Sequence, residues 1–253
     1  MSKIKFQRKN GWIELDSWIE ERLGRPLTSE EYHSDSLMIE GLIEPNISGN
    51  HDNYIITTEE GQLFYKSEQF NSDEAYAELL AEEISKLLDI PTAHYDLAIF
   101  RGKKGVISYS FIKEYDTYYP GTDILLDFCE QNLDNNSEKR KLYNISNRDS
   151  IERTLDKLNN LEDIWSILED RFKNNYNKDI IIPRIIHGLV NKLIFDILTI
   201  NIDDHTENWG ILDDNELGKI LAPQFDNARI LNLHRNILVE RFACKETLQD
   251  KKL

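Results

Sequence analysis

The feature that most constrains this chain is a long apolar run, residues 180–200, that gives way directly to a stretch crowded with polar side chains, residues 201–226. Apolar residues recur through 182–200 at helical spacing, so a buried helix is expected there, with Pro183 in its first turn, where a proline is tolerated. The run does not suit a membrane. Arg184, His187, Asn191, Lys192 and Asp196 interrupt it, and each would be costly in lipid. Beyond it, residues 209–212 and 219–221 read as strands joined by a turn over 213–218. A hairpin returns its end beside its beginning, so Asp226 is expected next to Asn208. Asp203, Asp204, His205 and Asn208 then stand where a buried scaffold meets solvent, a position that carries chemistry more often than packing.

The chain has 253 residues, enough for one large domain or two modest lobes sharing a cleft. Its 46 acidic residues against 30 basic ones give a formal charge of -16. Affinity for a phosphate backbone comes from Lys and Arg that displace counterions, so nucleic acid and anionic membranes are poor general partners. Cys129 and Cys244 are too few for a disulfide framework or a Cys-rich zinc site, and a reducing cytoplasm fits. The N-terminal residues carry positive charge with no apolar segment behind it, which argues against a secretory signal.

Residues 1–35 read as an N-terminal extension, with a short helix over 13–23 stopping at Gly24. Residues 36–113 read as a small β-rich lobe with strands at 37–42, 54–58, 63–67, 95–101 and 106–112. The segment 44–52 is rich in turn formers and contains Ser48 and Gly49; it is an ordinary hairpin loop or a backbone cradle for phosphates. In the strand 63–67, alternation puts Phe64 and Lys66 on one face, opposite Leu63 and Tyr65. An inward lysine needs a carboxylate or an anionic ligand, whereas an edge lysine guarding the sheet is the plainer alternative. A helix is expected over 73–88, capped from Asn71 or Ser72, with Ala75, Leu79, Leu80, Ile84 and Leu87 as its buried stripe. Glu74 and Glu78 stand one turn apart on it, and either could reach a lysine on a neighbouring strand. On so acidic a helix each glutamate is expected at the surface.

Residues 114–253 read as mainly helical, with a connector at 115–121, a helix at 123–131, a polar loop at 132–149 and helices at 150–160 and 161–172. The fold class expected is therefore α+β. Within 201–226, Asn208 and Asp226 offer an amide and a carboxylate oxygen, hard donors suited to Mg²⁺ shared with a nucleotide's phosphates. Asp203 is then left to face a hydroxyl nucleophile, as phosphoryl transfer requires.

The pattern D-x-H-x-x-N at Asp203, His205 and Asn208, followed by A-P-x-F-D ending at Asp226, resembles the HipA-like serine/threonine kinases, the toxins of bacterial toxin–antitoxin systems. Tyr65, Lys66 and Ser67 resemble that family's ATP-binding lysine strand, and 74–81 through Pro91 its following helix and turn. The likeness runs from about residue 38 to 230. It implies a two-lobed protein-kinase-like fold, ATP and Mg²⁺ as cofactors, a protein substrate and an antitoxin partner. Carried over, it implies that Lys66 holds the α and β phosphates, with Glu74 among the cofactor-binding residues, and that Asp203 orients or deprotonates the acceptor hydroxyl. His205 bonds the γ-phosphate or braces the loop, and Asn208 and Asp226 bind Mg²⁺. The backbone at Ser110 and Ile112 meets adenine, Gly49 lies in the phosphate loop, and Ser48 corresponds to a serine whose autophosphorylation switches the kinase off. Two other readings stand beside it. One is a small-molecule phosphotransferase. The other is a nucleotide-binding pseudokinase acting as an interaction module, favoured by the short stretch after Asp226.

Overall fold

A computed structural model describes residues 8–9, 11–33, 43–46, 53–58, 61–68, 72–133, 150–201 and 205–231. The expected strand at 37–42, the loop residues Ser48 and Gly49, and the acidic pair Asp203 and Asp204 lie outside the described residues. The chain divides into two compact units. One comprises Met1–Ser110, Thr199–Asn201 and Asn227–Leu253, the other Phe111–Leu198 and Ile202–Asp226.

The first unit is built on a seven-stranded sheet. Its strands are β1 (Arg8–Lys9), β2 (Trp12–Glu14), β3 (Ile43–Asn46), β4 (Asn53–Thr58), β5 (Gly61–Ser67), β6 (Tyr95–Phe100) and β7 (Lys103–Tyr109), in the order β1-β2-β6-β7-β5-β4-β3. Neighbours are antiparallel except β2 and β6, which run parallel. Helix α1 (Leu15–Leu23) ends at Gly24 in the left-handed conformation (φ 66°), as expected, and packs against β6. A short helix, α2 (Ser29–His33), follows it. Helix α3 (Glu74–Leu87) lies against β6 and β7. The core of this unit joins Ile13, Leu15, Trp18 and Ile19 to Tyr54, Ile56, Leu63, Tyr65, Phe100 and Ile107. Residues 12–23, expected as part of an extension, are thus built into this sheet and its core.

Two details of the sheet differ from expectation. Strand β3 occupies residues expected as turn. Pro45, which lacks an N–H, sits in the edge strand, where a missing donor is tolerated. The β6–β7 connection is tighter than the four-residue turn expected. Phe100 pairs with Lys103, leaving only Arg101 (φ 50°) and Gly102 (φ 71°) between them. Two successive positive φ values match the twist of a two-residue hairpin.

The second unit is mostly helical. It contains α4 (Gly121–Phe128), a π-helical turn at Cys129–Leu133, α5 (Ile151–Leu158), α6 (Leu161–Arg171) and α7 (Lys178–Thr199), whose last residue falls in the first unit. Ser150 and Asn160 cap α5 and α6, each side chain accepting from the backbone N–H three residues on. Pro183 is not in the first turn, because α7 starts at Lys178; the helix gives up one backbone hydrogen bond there. A three-stranded sheet, β10-β9-β8, completes the unit, with β8 at Thr117–Pro120, β9 at Gly210–Asp214 and β10 at Gly218–Leu221. Strand β8 replaces part of the expected connector. Its four residues become a strand only by pairing with β9, almost a hundred positions away. Ile124, Leu125, Phe128, Ile164, Ile167, Leu168, Ile182, Ile185, Trp209 and Ile211 make the core that carries this sheet.

The fold class is mixed α+β, a β-rich unit and a mainly helical one, as expected. No described helix is long and apolar enough to cross a membrane.

Candidate active site

In the first unit the residues of interest gather around Lys66. Strand β5 is central, with Lys66 opposite Asn53 of β4 and Val106 of β7. Leu63, Tyr65 and Ser67 face the core, while Phe64 and Lys66 are half-buried on the other face, as the alternation requires. The β5–β7 pairing is close. A side chain at Gly105 would place its first carbon 2.1 Å from the Lys66 carbonyl oxygen, so only glycine fits. Lys66 lines a small cavity with Ser67, Glu68, Glu74, Glu78 and Val106.

The carboxylates of that cavity come from α3, and its buried face is not the one expected. Glu74, Ala75, Ala77, Glu78, Ala81, Glu82 and Ser85 are buried, whereas Leu80 is exposed and Leu87 is 86% exposed. Small residues let the helix approach β6 and β7 closely, and each buried glutamate is engaged by a donor or faces the cavity. Glu78, 2% exposed, accepts from the backbone N–H of Asn227 at 2.8 Å. Glu82 accepts from the Tyr95 N–H at 2.9 Å and meets His94 Nδ1 at 2.7 Å and Lys86 Nζ at 2.8 Å. Burial works to raise the Glu82 carboxyl, but the bonds from Lys86, His94 and Tyr95 outweigh it and hold it below the usual range. The N-cap position of the helix is Asp73 and not Ser72, and Asp73 makes no side-chain cap; Asn71 lies outside the described residues. Instead Glu68, at the end of β5, accepts from the Ala75 N–H at 3.2 Å, and burial pushes its carboxyl up. This bond ties the end of the lysine strand to the start of α3.

Ser110 is the last residue of this part of the first unit, and its N–H donates to the Gln62 carbonyl at 3.2 Å. Ile112, two residues on, belongs to the second unit and is exposed.

In the second unit, the segment His205–Trp209 is held from several sides. Thr206–Asn208 form one turn of 3-10 helix, capped by His205, whose Nδ1 accepts from the Glu207 N–H at 3.3 Å. An Nδ1 that accepts leaves the ring proton on Nε2. Asn208 is 3% exposed, and its N–H donates to the His205 carbonyl at 3.0 Å. The Thr206 hydroxyl bonds that of Thr122 at 2.8 Å, and Trp209 Nε1 donates to Asn159 Oδ1 at 3.0 Å. Gly121 at the start of α4 donates its N–H to the Trp209 carbonyl at 2.8 Å. A side-chain carbon at Gly121 would come within 2.5 Å of the Trp209 ring and 2.7 Å of the Thr206 carbonyl, so this glycine lets α4 dock on the loop.

The hairpin then returns. Leu221 pairs with Ile211, and the Ala222 N–H donates to the Gly210 carbonyl at 2.9 Å, which brings the end of the hairpin back to the residues that follow Asn208. Phe225 packs in an aromatic cluster with Phe111 (centroids 5.7 Å apart) and Tyr118 (6.3 Å). Burial pushes the Tyr118 hydroxyl up to about 12. Asp226 has φ 57°, a left-handed backbone that is uncommon for a residue with a side chain. The described residues contain no group of three or more His, Cys, Asp and Glu that could hold a metal. An amide and a single carboxylate fit Mg²⁺ nonetheless, because that ion is commonly bound by one or two carboxylates while phosphate oxygens and water fill the rest.

The comparisons with known proteins bear on the fold. No protein-family model and no curated protein matches the chain. Among solved structures, the Helicobacter pylori proinflammatory kinase CtkA superposes with a TM-score of 0.56 at 17% identity, covering 80% of this chain. The fold is kinase-like. The chain spans 64% of the length of that kinase. HipA of the Shewanella oneidensis MR-1 toxin–antitoxin system, solved with HipB and operator DNA, also matches, at 14% identity over 90% of this chain and 51% of its own; its TM-score of 0.42 is too low to carry weight. A kinase-like fold is what the resemblance of the D-x-H-x-x-N segment implies. Sequence reasoning missed Asn227, which adjoins the motif and contacts Glu78, and also missed Thr122 and Gly121, whose only signal is a glycine at a helix start.

Proposed function

We propose that the chain is a Mg-ATP-dependent protein serine/threonine kinase of HipA type, a toxin that phosphorylates a cytoplasmic protein and is neutralised by an antitoxin. The observation that carries this reading is the β9–β10 register: the bond from Ala222 to Gly210 returns the segment ending in Asp226 toward the loop of Asn208, within a kinase-like fold. Asn208 and Asp226 would hold Mg²⁺, which offsets the charge of the triphosphate. Lys66, kept among Glu68, Glu74 and Glu78, would hold phosphate oxygens. Asp203 would accept the proton of the acceptor hydroxyl as its oxygen bonds the γ-phosphorus and the bond from that phosphorus to the bridging oxygen breaks, releasing ADP. His205 keeps the loop in shape through its bond to Glu207.

Phosphoproteomics after induced expression tests the reading and names the acceptor. Serine or threonine sites that gain phosphate with the wild-type chain and not with Asp203→Asn are expected. Identical phosphoproteomes from the two would refute it.

A further inference from the structure

The second unit holds a cleft of about 220 Å³ between α4 and α6, and none of the residues assigned above to catalysis, nucleotide or metal lines it. Its floor is apolar, made of buried Ile124 and Phe128 from α4 and buried Ile167 from α6. Its walls are charged in equal measure, Asp127 and Asp170 against Arg171 and Lys173. Where α4 ends, the backbone widens into the π-helical turn Cys129–Leu133, a rare conformation that recurs at functional sites. That turn carries Asn132 to α6, where its Nδ2 donates to Asp170 Oδ2 at 3.3 Å. A second bridge between the two helices runs from Arg171 Nη1 to Asp127 Oδ2 at 3.0 Å. The pair is partly open to solvent, and such pairs add little stability, so a ligand can exchange with either member at small cost. The bond to Asp127 uses one of the five N–H groups of Arg171, whose guanidinium also stands over the Tyr119 ring at 5.5 Å.

This lining suits a molecule that is apolar at one end and zwitterionic at the other. Arg171 and Lys173 supply donors for a carboxylate, the guanidinium in the forked geometry that carboxylates favour. Asp127 and Asp170 can accept from an ammonium. A simple anion or a simple cation would leave two charges of the opposite kind unmatched. The size agrees, since an apolar cavity of about 150 Å³ takes up benzene. We propose that the cleft binds a free α-amino acid with an aliphatic or aromatic side chain. The carboxylate lies on Arg171, the ammonium on Asp127 and Asp170, and the side chain on Ile124, Phe128 and Ile167.

The test is calorimetric titration of the whole chain with L-leucine and L-phenylalanine, and with the N-acetyl and carboxamide derivatives of each. The amino acid that binds is expected to lose roughly 10-fold or more in affinity when either its ammonium or its carboxylate is blocked. Arg171→Leu should reproduce the loss seen with the carboxamide, and Asp127→Asn part of that seen with the N-acetyl form. Arg171→Lys keeps the charge without the fork; it should fall between Arg171→Leu and wild type, and serves if the leucine variant does not fold. Lys66→Ala, in the first unit, should bind as the wild type does. No binding of either amino acid at millimolar concentration, equal affinity for the blocked forms, or loss of binding in Lys66→Ala would overturn the proposal. The kinase reading rests on other residues and stands or falls separately.

Discussion

The backbone N–H of Asn227 donates to Glu78 Oε2 at 2.8 Å, joining two residues 149 positions apart, both almost fully buried. The bond fixes the chain that leaves Asp226 onto helix α3. Removing the acceptor strands a buried N–H, at a cost of about 1–3 kcal/mol, whereas an amide in its place can still accept. Glu78→Ala should therefore lower the denaturant midpoint clearly more than Glu78→Gln. Equal losses in the two variants would show that the bond contributes little.

A methyl group at Gly121 is expected to push α4 off the loop that holds Asn208. The nearest atoms are ring carbons of buried Trp209 and the Thr206 carbonyl, neither of which can rotate away. Overpacking of this kind costs about 1–3 kcal/mol. Gly121→Ala should lose that much stability in chemical denaturation and should weaken Mg²⁺-dependent nucleotide binding. Gly11→Ala, where open space surrounds the added carbon, serves as comparison for crowding, although its positive φ adds strain of its own.

Glu82 should make its part of the first unit sensitive to acid. Its carboxyl is held below its ordinary value of 4.5, so the folded state binds this proton less readily than the unfolded chain does. The stabilisation is present above pH 4.5 and is lost as pH falls through the lowered folded value. Glu82→Gln should flatten the fall in melting temperature below pH 4.5 while costing stability near neutrality. Parallel curves for the variant and wild type would contradict the assignment.

The sequence made the local elements legible and left the long-range ones hidden. Strands β4, β5, β9 and β10, helices α1, α3, α5 and α6, and the return of the hairpin past Gly210 followed from periodicity and turn residues. Strand β8 did not, because residues 117–120 become a strand only through β9. The buried face of α3 was misread for a similar reason. Leu80 and Leu87 outrank glutamate on any hydropathy scale, yet Glu78 and Glu82 are inside because Asn227, Tyr95 and His94 come to meet them. A single helix carries no trace of such partners. At the candidate site, the spacing of Asp203, His205 and Asn208 drew attention to the loop, while its supports at Thr122, Asn159 and Gly121 are visible only in the folded chain.

Asn208 and Asp226 are assigned to the metal, so their loss should appear first as a raised Mg²⁺ requirement. Asn208→Ala and Asp226→Asn should each weaken Mn²⁺ binding, followed by electron paramagnetic resonance in the presence of a non-hydrolysable ATP analogue, by roughly 10-fold or more. Unchanged Mn²⁺ binding in both variants would remove them from the metal site.

The central claim is most directly tested by incubating the purified chain with γ-labelled ATP and Mg²⁺ and following label into protein, for wild type, Asp203→Asn and Asp226→Asn. Incorporation by the wild type that disappears in both variants is predicted. Equal incorporation by all three would contradict it.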